Sequence, residues 1–119
     1  MKAIEKSRVQ DLIDQFVNEE VFIHLETTNG AYAKHFNEKA YNVGAYIRNA
    51  RIKYSHGKIV ENQIDDSFRV GLKHEDGWVY AEGLTDFELD DQGRLLMAGH
   101  NEEGKLMIAF EISRTPFDN

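Results

Sequence analysis

The sequence predicts a mainly β domain: an antiparallel meander forming a sandwich or partly closed barrel, with one N-terminal helix. Polar stretches that end in glycine recur along the chain: Thr28-Asn29-Gly30, Ser55-His56-Gly57, Glu75-Asp76-Gly77, Asp91-Gln92-Gly93 and Glu102-Glu103-Gly104. Glycine reaches positive φ without steric cost, which suits the end of a hairpin turn. Apolar-rich, strand-length segments flank each stretch, the pattern of successive hairpins. Helical periodicity is confined to the first segment of the chain.

That first segment predicts a helix over about residues 7–18. Ser7 is placed as its N-cap, with Gln10 completing a capping box. Val9, Leu12, Ile13, Phe16 and Val17 form one apolar stripe, and Asp11, Asp14 and Gln15 fall opposite. The stripe should lie against a sheet. Strands are expected from about residue 20 to 113. Val21, Ile23 and Leu25 alternate with Phe22, His24 and Glu26, and residues 31–36 return after Asn29-Gly30. From Tyr41 to Tyr54 the apolar positions are first odd and then even. Side chains alternate faces, so this phase change implies a bulge or bend near Arg48-Asn49. Residues 60–67 read as a loop. Further strands are expected near 68–73, 78–89, 94–100 and 105–113, with an irregularity at Gly83. Pro116 lies beyond the last strand. The strand count comes to about seven or eight from turn spacing.

The last two strands break the alternation. Leu95-Leu96-Met97-Ala98 and Leu106-Met107-Ile108-Ala109-Phe110 are apolar on both faces, where a half-exposed strand should alternate. No second amphipathic helix offers itself as a cover, so a homo-oligomer is expected.

At 119 residues the chain makes a single domain, 1–119, with room for a core. The formal charge of −7 argues against nucleic acid as a partner. No apolar run reaches a membrane span, so no membrane partner is expected. The N-terminal Met1-Lys2-Ala3-Ile4-Glu5-Lys6 lacks the apolar block of a signal peptide, which leads to a cytoplasmic expectation. Cysteine is absent, which excludes disulfides, thiol nucleophiles and zinc–thiolate sites.

Chemistry-bearing residues are sparse. If Asn29-Gly30 forms a two-residue loop, His24 faces His35, and Glu26 shares the face of His24. Two imidazoles and a carboxylate can hold a divalent metal or act as an acid–base pair. A loop one residue longer would send His35 to the other face, leaving ordinary surface histidines. Arg48 and Arg51 flank the expected bulge and could clamp a carboxylate or phosphate. Their spacing of three normally splits them between faces and leaves both solvated. Asp86, Glu88 and Asp90 lack a calcium-loop pattern and read as a solvated face. His100, before a turn, could join a polar site at one end of the sheet. Trp78, Tyr80 and Tyr54 are expected as core or interface anchors. No phosphate-binding glycine loop, serine elbow or metalloprotease helix occurs.

Several stretches carry a resemblance across nearly the whole chain. Ile23-His24-Leu25-Glu26-Thr27-Thr28, Ala45-Tyr46-Ile47-Arg48-Asn49-Ala50, Arg69-Val70-Gly71-Leu72-Lys73, Gly77-Trp78-Val79-Tyr80-Ala81-Glu82-Gly83-Leu84-Thr85 and Arg94-Leu95-Leu96-Met97-Ala98-Gly99-His100 resemble the YojF family of Bacillus-type bacteria. The resemblance implies a small β-rich cytoplasmic protein of unknown function. It also implies a genomic link to a neighbouring LmbE-type deacetylase of bacillithiol synthesis. It transfers no catalytic motif and no residue role.

The leading expectation is therefore a non-catalytic accessory or small-molecule-binding protein, associated with that deacetylase. A first alternative is a small metal-dependent or acid–base enzyme using His24, Glu26 and His35, its cofactor a divalent metal. A second is a structural interaction module.

Overall fold

The apolar stripe of the first segment folds as helix α1, Lys6–Gln15, and buries Val9, Leu12 and Ile13. The computed structural model describes residues 1–28 and 44–118. The helix is shorter than the periodicity suggested, and its N-cap is Glu5, which makes no side-chain capping bond. Ser7 therefore lies inside the first turn. Gln10 does not close a capping box: its Oε1 accepts from the Ile59 amide at 3.0 Å, and its Nε2 donates to the Gly57 carbonyl at 2.9 Å. That pair of bonds treats the glutamine amide as a short strand and fixes α1 to the sheet beneath.

The described strands are β1 (Lys2–Ala3), β2 (Val21–Thr28), β3 (Gly44–Ile52), β4 (His56–Glu61), β5 (Phe68–His74), β6 (Gly77–Leu84), β7 (Asp86–Leu89), β8 (Leu95–His100) and β9 (Leu106–Ser113). They form two antiparallel sheets, one ordered β1-β7-β8-β9-β2-β3 and the other β4-β5-β6. No barrel closes among the described residues, so the sandwich alternative is the one realised. Buried residues of both sheets and of α1 form one core, among them Ile23, Leu72, Met97 and Phe110. Each fully buried aliphatic or aromatic side chain contributes about 1.5–3 kcal/mol by leaving water.

Three features depart from the sequence reading. Ser55-His56-Gly57 is not a turn closed by glycine: Gly57 is buried within β4. A Cβ there would overlap Ile13 Cγ2 and lie 3.1 Å from Leu72 Cδ2, so the glycine serves the close approach of α1. The 78–89 stretch is two strands in different sheets, β6 and β7, broken at Thr85. Trp78 and Tyr80 are exposed on the outer face of the smaller sheet, which corrects the core half of their expectation and leaves the interface half. Tyr54, by contrast, is fully buried and donates its hydroxyl to the Ile13 carbonyl at 2.5 Å. Burial pushes that hydroxyl far above its ordinary pKa, with the Asp14 and Glu19 charges adding to the effect.

Residues 60–67, read as a loop, are also corrected in part, since Val60 and Glu61 pair with Arg69 and Phe68 as the end of β4. Gly93 and Gly104 take φ values of 77° and 79° in the turns before β8 and β9. The β5–β6 turn also forms, but Glu75 rather than Gly77 takes the positive φ. Gly83, at φ 81°, sits in a register shift of the β5–β6 ladder. The turn at Asn29-Gly30 and the return at 31–36 lie outside the described residues. The second face of β8 and β9 is not bare, since Ala98 is buried and Leu96, Met107 and Ala109 are half-buried. No described helix is long and apolar enough to cross a membrane.

Candidate functional site

The phase change read between Ile47 and Ala50 is a β-bulge. Ile23 pairs with Ala50 and His24 with Arg48, leaving Asn49 as the extra residue, at φ 60°. Asparagine tolerates this left-handed conformation better than most residues. The bulge cancels the odd spacing of the two arginines: Arg48 faces His24 and Arg51 faces Phe22, and those partners share a face. The expected split of Arg48 and Arg51 between faces is therefore corrected. Both stand on the outer face of the six-stranded sheet.

His24 lies on that face, on β2 between β9 and β3, and is only 7% exposed. Its strand neighbours are Arg48 on β3 and Glu111 on β9. Both lateral positions beside His24 are thus occupied within the sheet. His35 itself lies outside the described residues. Glu26 shares the outer face, between Tyr46 and Ala109. Among the described residues no three histidine or carboxylate groups are grouped to hold a metal ion.

Arg48 Nη1 lies 3.2 Å from His24 Nδ1. A guanidinium only donates, so Nδ1 is the acceptor and the ring proton is on Nε2. Tyr46 meets the imidazole edge-on at 5.4 Å between ring centroids. The C-terminal segment closes the arrangement. Asn49 Nδ2 donates to the Phe117 carbonyl at 2.9 Å and Oδ1 accepts from the Phe117 amide at 2.7 Å. Held at both ends of its backbone unit, Phe117 is 5% exposed and packs 6.2 Å from His24. Its ring has the Arg48 guanidinium at 5.1 Å and that of Arg94 at 5.8 Å. Arg48 Nη2 also donates to the Asp118 carbonyl.

Arg94 is itself positioned by Asp90, which accepts from Arg94 Nε at 2.6 Å and from the Gln92 and Arg94 amides. Burial pushes the Asp90 carboxyl up, but these donors outweigh it and hold it below the usual carboxylate range. The arrangement can bind an acceptor oxygen on guanidinium groups and hold a flat ring between them. With Nδ1 committed to Arg48, only Nε2 of His24 is left for another partner.

His100 stands apart from this cluster. It contacts Asp86 Oδ1 at 3.1 Å, and its amide donates to Thr85 Oγ1 at 3.1 Å. Asp86 is held below the usual range by the Thr85 hydroxyl first and His100 next. A groove of about 530 Å³ lies at the β1–β7 edge, lined by Lys2, Arg8, Phe87 and Leu89 among others, and His24, Glu26, Arg48, Arg51 and His100 do not line it.

Sequence reasoning missed Asn49, Phe117 and Arg94 as partners. The one available signal was an aromatic residue placed just after the terminal proline, past the last strand.

Residues 3–117 match the model of a family described as "Protein of unknown function (DUF1806)". The chain is 52% identical over 117 residues to "Uncharacterized protein YojF" of Bacillus subtilis (strain 168), covering 98% of each. Its fold superposes on the crystal structure of the Bacillus subtilis YojF protein with a TM-score of 0.79. The sequence identity there is 45%, covering 99% of this chain and 97% of the other.

Proposed function

Because the chain belongs to this family of unknown function, DUF1806, we propose a role from the His24 face: a non-catalytic protein that binds a small carboxylate- or phosphate-bearing molecule. The single observation that carries the reading is the Asn49 bulge, which puts Arg48 and Arg51 on one face beside His24. Guanidinium groups suit planar oxyanions because they offer paired donors in fixed geometry. Arg48 already donates to a carbonyl oxygen of the C-terminal segment, so an acceptor oxygen fits that position. Arg51 forms no ion pair with the described residues and is exposed. His24 Nδ1 is committed to Arg48 and its ring is covered by Phe117, which favours binding over catalysis as the reading.

The wider proposal is an accessory protein of the cytoplasm, a homo-oligomer, acting with an LmbE-type deacetylase. The half-exposed apolar positions Leu96 and Met107 support an interface between copies.

Thermal unfolding of the wild-type chain with malate or inorganic phosphate tests the binding reading. The midpoint should rise with ligand concentration, as mass action requires. Arg48→Ala with Arg51→Ala should abolish the rise. An unchanged midpoint with both probes, or an equal rise in the double variant, refutes it. Sedimentation of wild type and Met107→Asp tests the oligomer, and co-purification with the deacetylase tests the partnership.

A further inference from the structure

The outer face of the three-stranded sheet is a second surface, independent of the His24 face. Register sets His56, Lys73 and Trp78 in one row across the sheet. The next row is Lys58, Gly71 and Tyr80, and beyond it Arg69 pairs with Glu82 at 2.6 Å. Trp78 and Tyr80 are 43% and 49% exposed. Their rings stack with centroids 5.4 Å apart and planes 8° from parallel. Gly71 makes room for this stack: a Cβ there would lie 2.7 Å from Tyr80 Cε1 and 3.3 Å from Trp78 Cε3. The Arg69 guanidinium lies 5.2 Å from the centre of the Tyr80 ring, and His56 meets Trp78 edge-on at 6.1 Å.

The charge of this face runs against that of the chain. Glu82 is neutralised by Arg69, while Lys58 and Lys73 form no ion pair with the described residues. The net charge of the whole chain is −7. A basic face bearing exposed tryptophan, tyrosine and arginine has the composition of interface hot spots. We infer that this face docks an acidic segment of a partner protein, its carboxylates meeting Lys58 and Lys73 and its apolar side chains covering the Trp78–Tyr80 stack. A single-stranded nucleic acid fits less well. Base stacking needs a free ring face, and Tyr80 is already stacked on Trp78 with the Arg69 guanidinium against its ring. The overall negative charge also repels a polyanion. A second copy fits less well too, because an isologous contact would set Lys58 and Lys73 against their own equivalents.

Trp78 is the single tryptophan of the chain, so its emission reports this face alone. Titration with a short peptide alternating glutamate and leucine should give a saturable change in emission. Lys58→Glu with Lys73→Glu should weaken it about tenfold or more, since like charges would then meet across the interface. Tyr80→Ala should weaken it too, while Arg48→Ala with Arg51→Ala should leave it intact, which separates this inference from the anion-binding reading. No response to the peptide overturns the inference, as does equal binding by the lysine double variant. A stronger response to oligothymidylate, or self-association abolished by the lysine substitutions, would also overturn it.

Discussion

His24 and Trp78 each sit on the outer face of a sheet, among aromatic and arginine neighbours, yet one is 7% exposed and the other 43%. The difference lies in what the chain itself places above them. Over His24 comes the C-terminal segment, with Phe117 held by both polar ends of Asn49. Over Trp78 no described segment comes. The same side-chain types therefore make an internal, hydrogen-bonded cluster in one place and an open strip of rings in the other. Exposure is decided by long-range topology, since Asn49 and Phe117 lie 68 residues apart in the chain. Local composition does not decide it.

If that comparison is right, truncating the two faces should cost very different amounts. Phe117→Ala removes a buried ring and should destabilise the chain by about 3 kcal/mol in urea unfolding. Tyr80→Ala should cost no more than about 1 kcal/mol, because its ring is half in water already. Equal costs would break the comparison.

The glycines beneath the two regions sharpen it. Gly57→Ala should cost about 2 kcal/mol, since the new methyl meets buried Ile13, Leu72 and Tyr54, which cannot yield. Gly71→Ala meets only exposed rings that can swing outward. It should cost about 0.5 kcal/mol or less while visibly changing Trp78 emission. A large stability loss at Gly71 with unchanged emission would show the ring stack to be rigid.

Asn49 tests the clasp of the covered face. Asn49→Ala loses both bonds to Phe117 and keeps an unfavourable φ, for a cost of about 1.5 kcal/mol. Asn49→Gly loses the bonds but relaxes the backbone, so it should cost less. The reverse ranking, read from urea midpoints, would mean that relief of the left-handed backbone at this position carries no part of the effect.

The smallest effect is on pH. Asp86 and Asp90 have carboxyl groups held below their ordinary values when folded. The stability each contributes is complete above the ordinary carboxylate range, near 4, and is lost as pH falls through the lowered folded values. Urea midpoints should therefore decline on acidification below about pH 4, and Asp90→Asn should decline less steeply. A wild-type midpoint unchanged between pH 5 and pH 3 would contradict this.

Much of the fold was legible because strand chemistry is local. The odd-to-even change from Ile47 to Ala50 located the Asn49 bulge, and Gly83 marked the other irregularity, because the alternation of faces must slip where a residue is inserted. The site was legible only in part. His24 and Arg48 were both singled out, but in separate candidate sites, because pairing β2 with β3 joins segments the chain separates. The Gly57 misreading has the same origin: a glycine kept for close packing looks, in sequence, like a glycine kept for a turn.

By itself the sequence determined the helix stripe, the turns before β6, β8 and β9, and the bulge, all set by side-chain periodicity and backbone sterics within a few residues. It also fixed the net charge of −7, while strand register brought Lys58 and Lys73 onto one face. Tertiary structure alone decided that β9 lies beside β2, that 78–89 divides between two sheets, and that Phe117 covers one aromatic face while the other stays open. Those outcomes depend on burying one common core between two sheets. That is a condition on the whole chain at once, and no local stretch of residues encodes it.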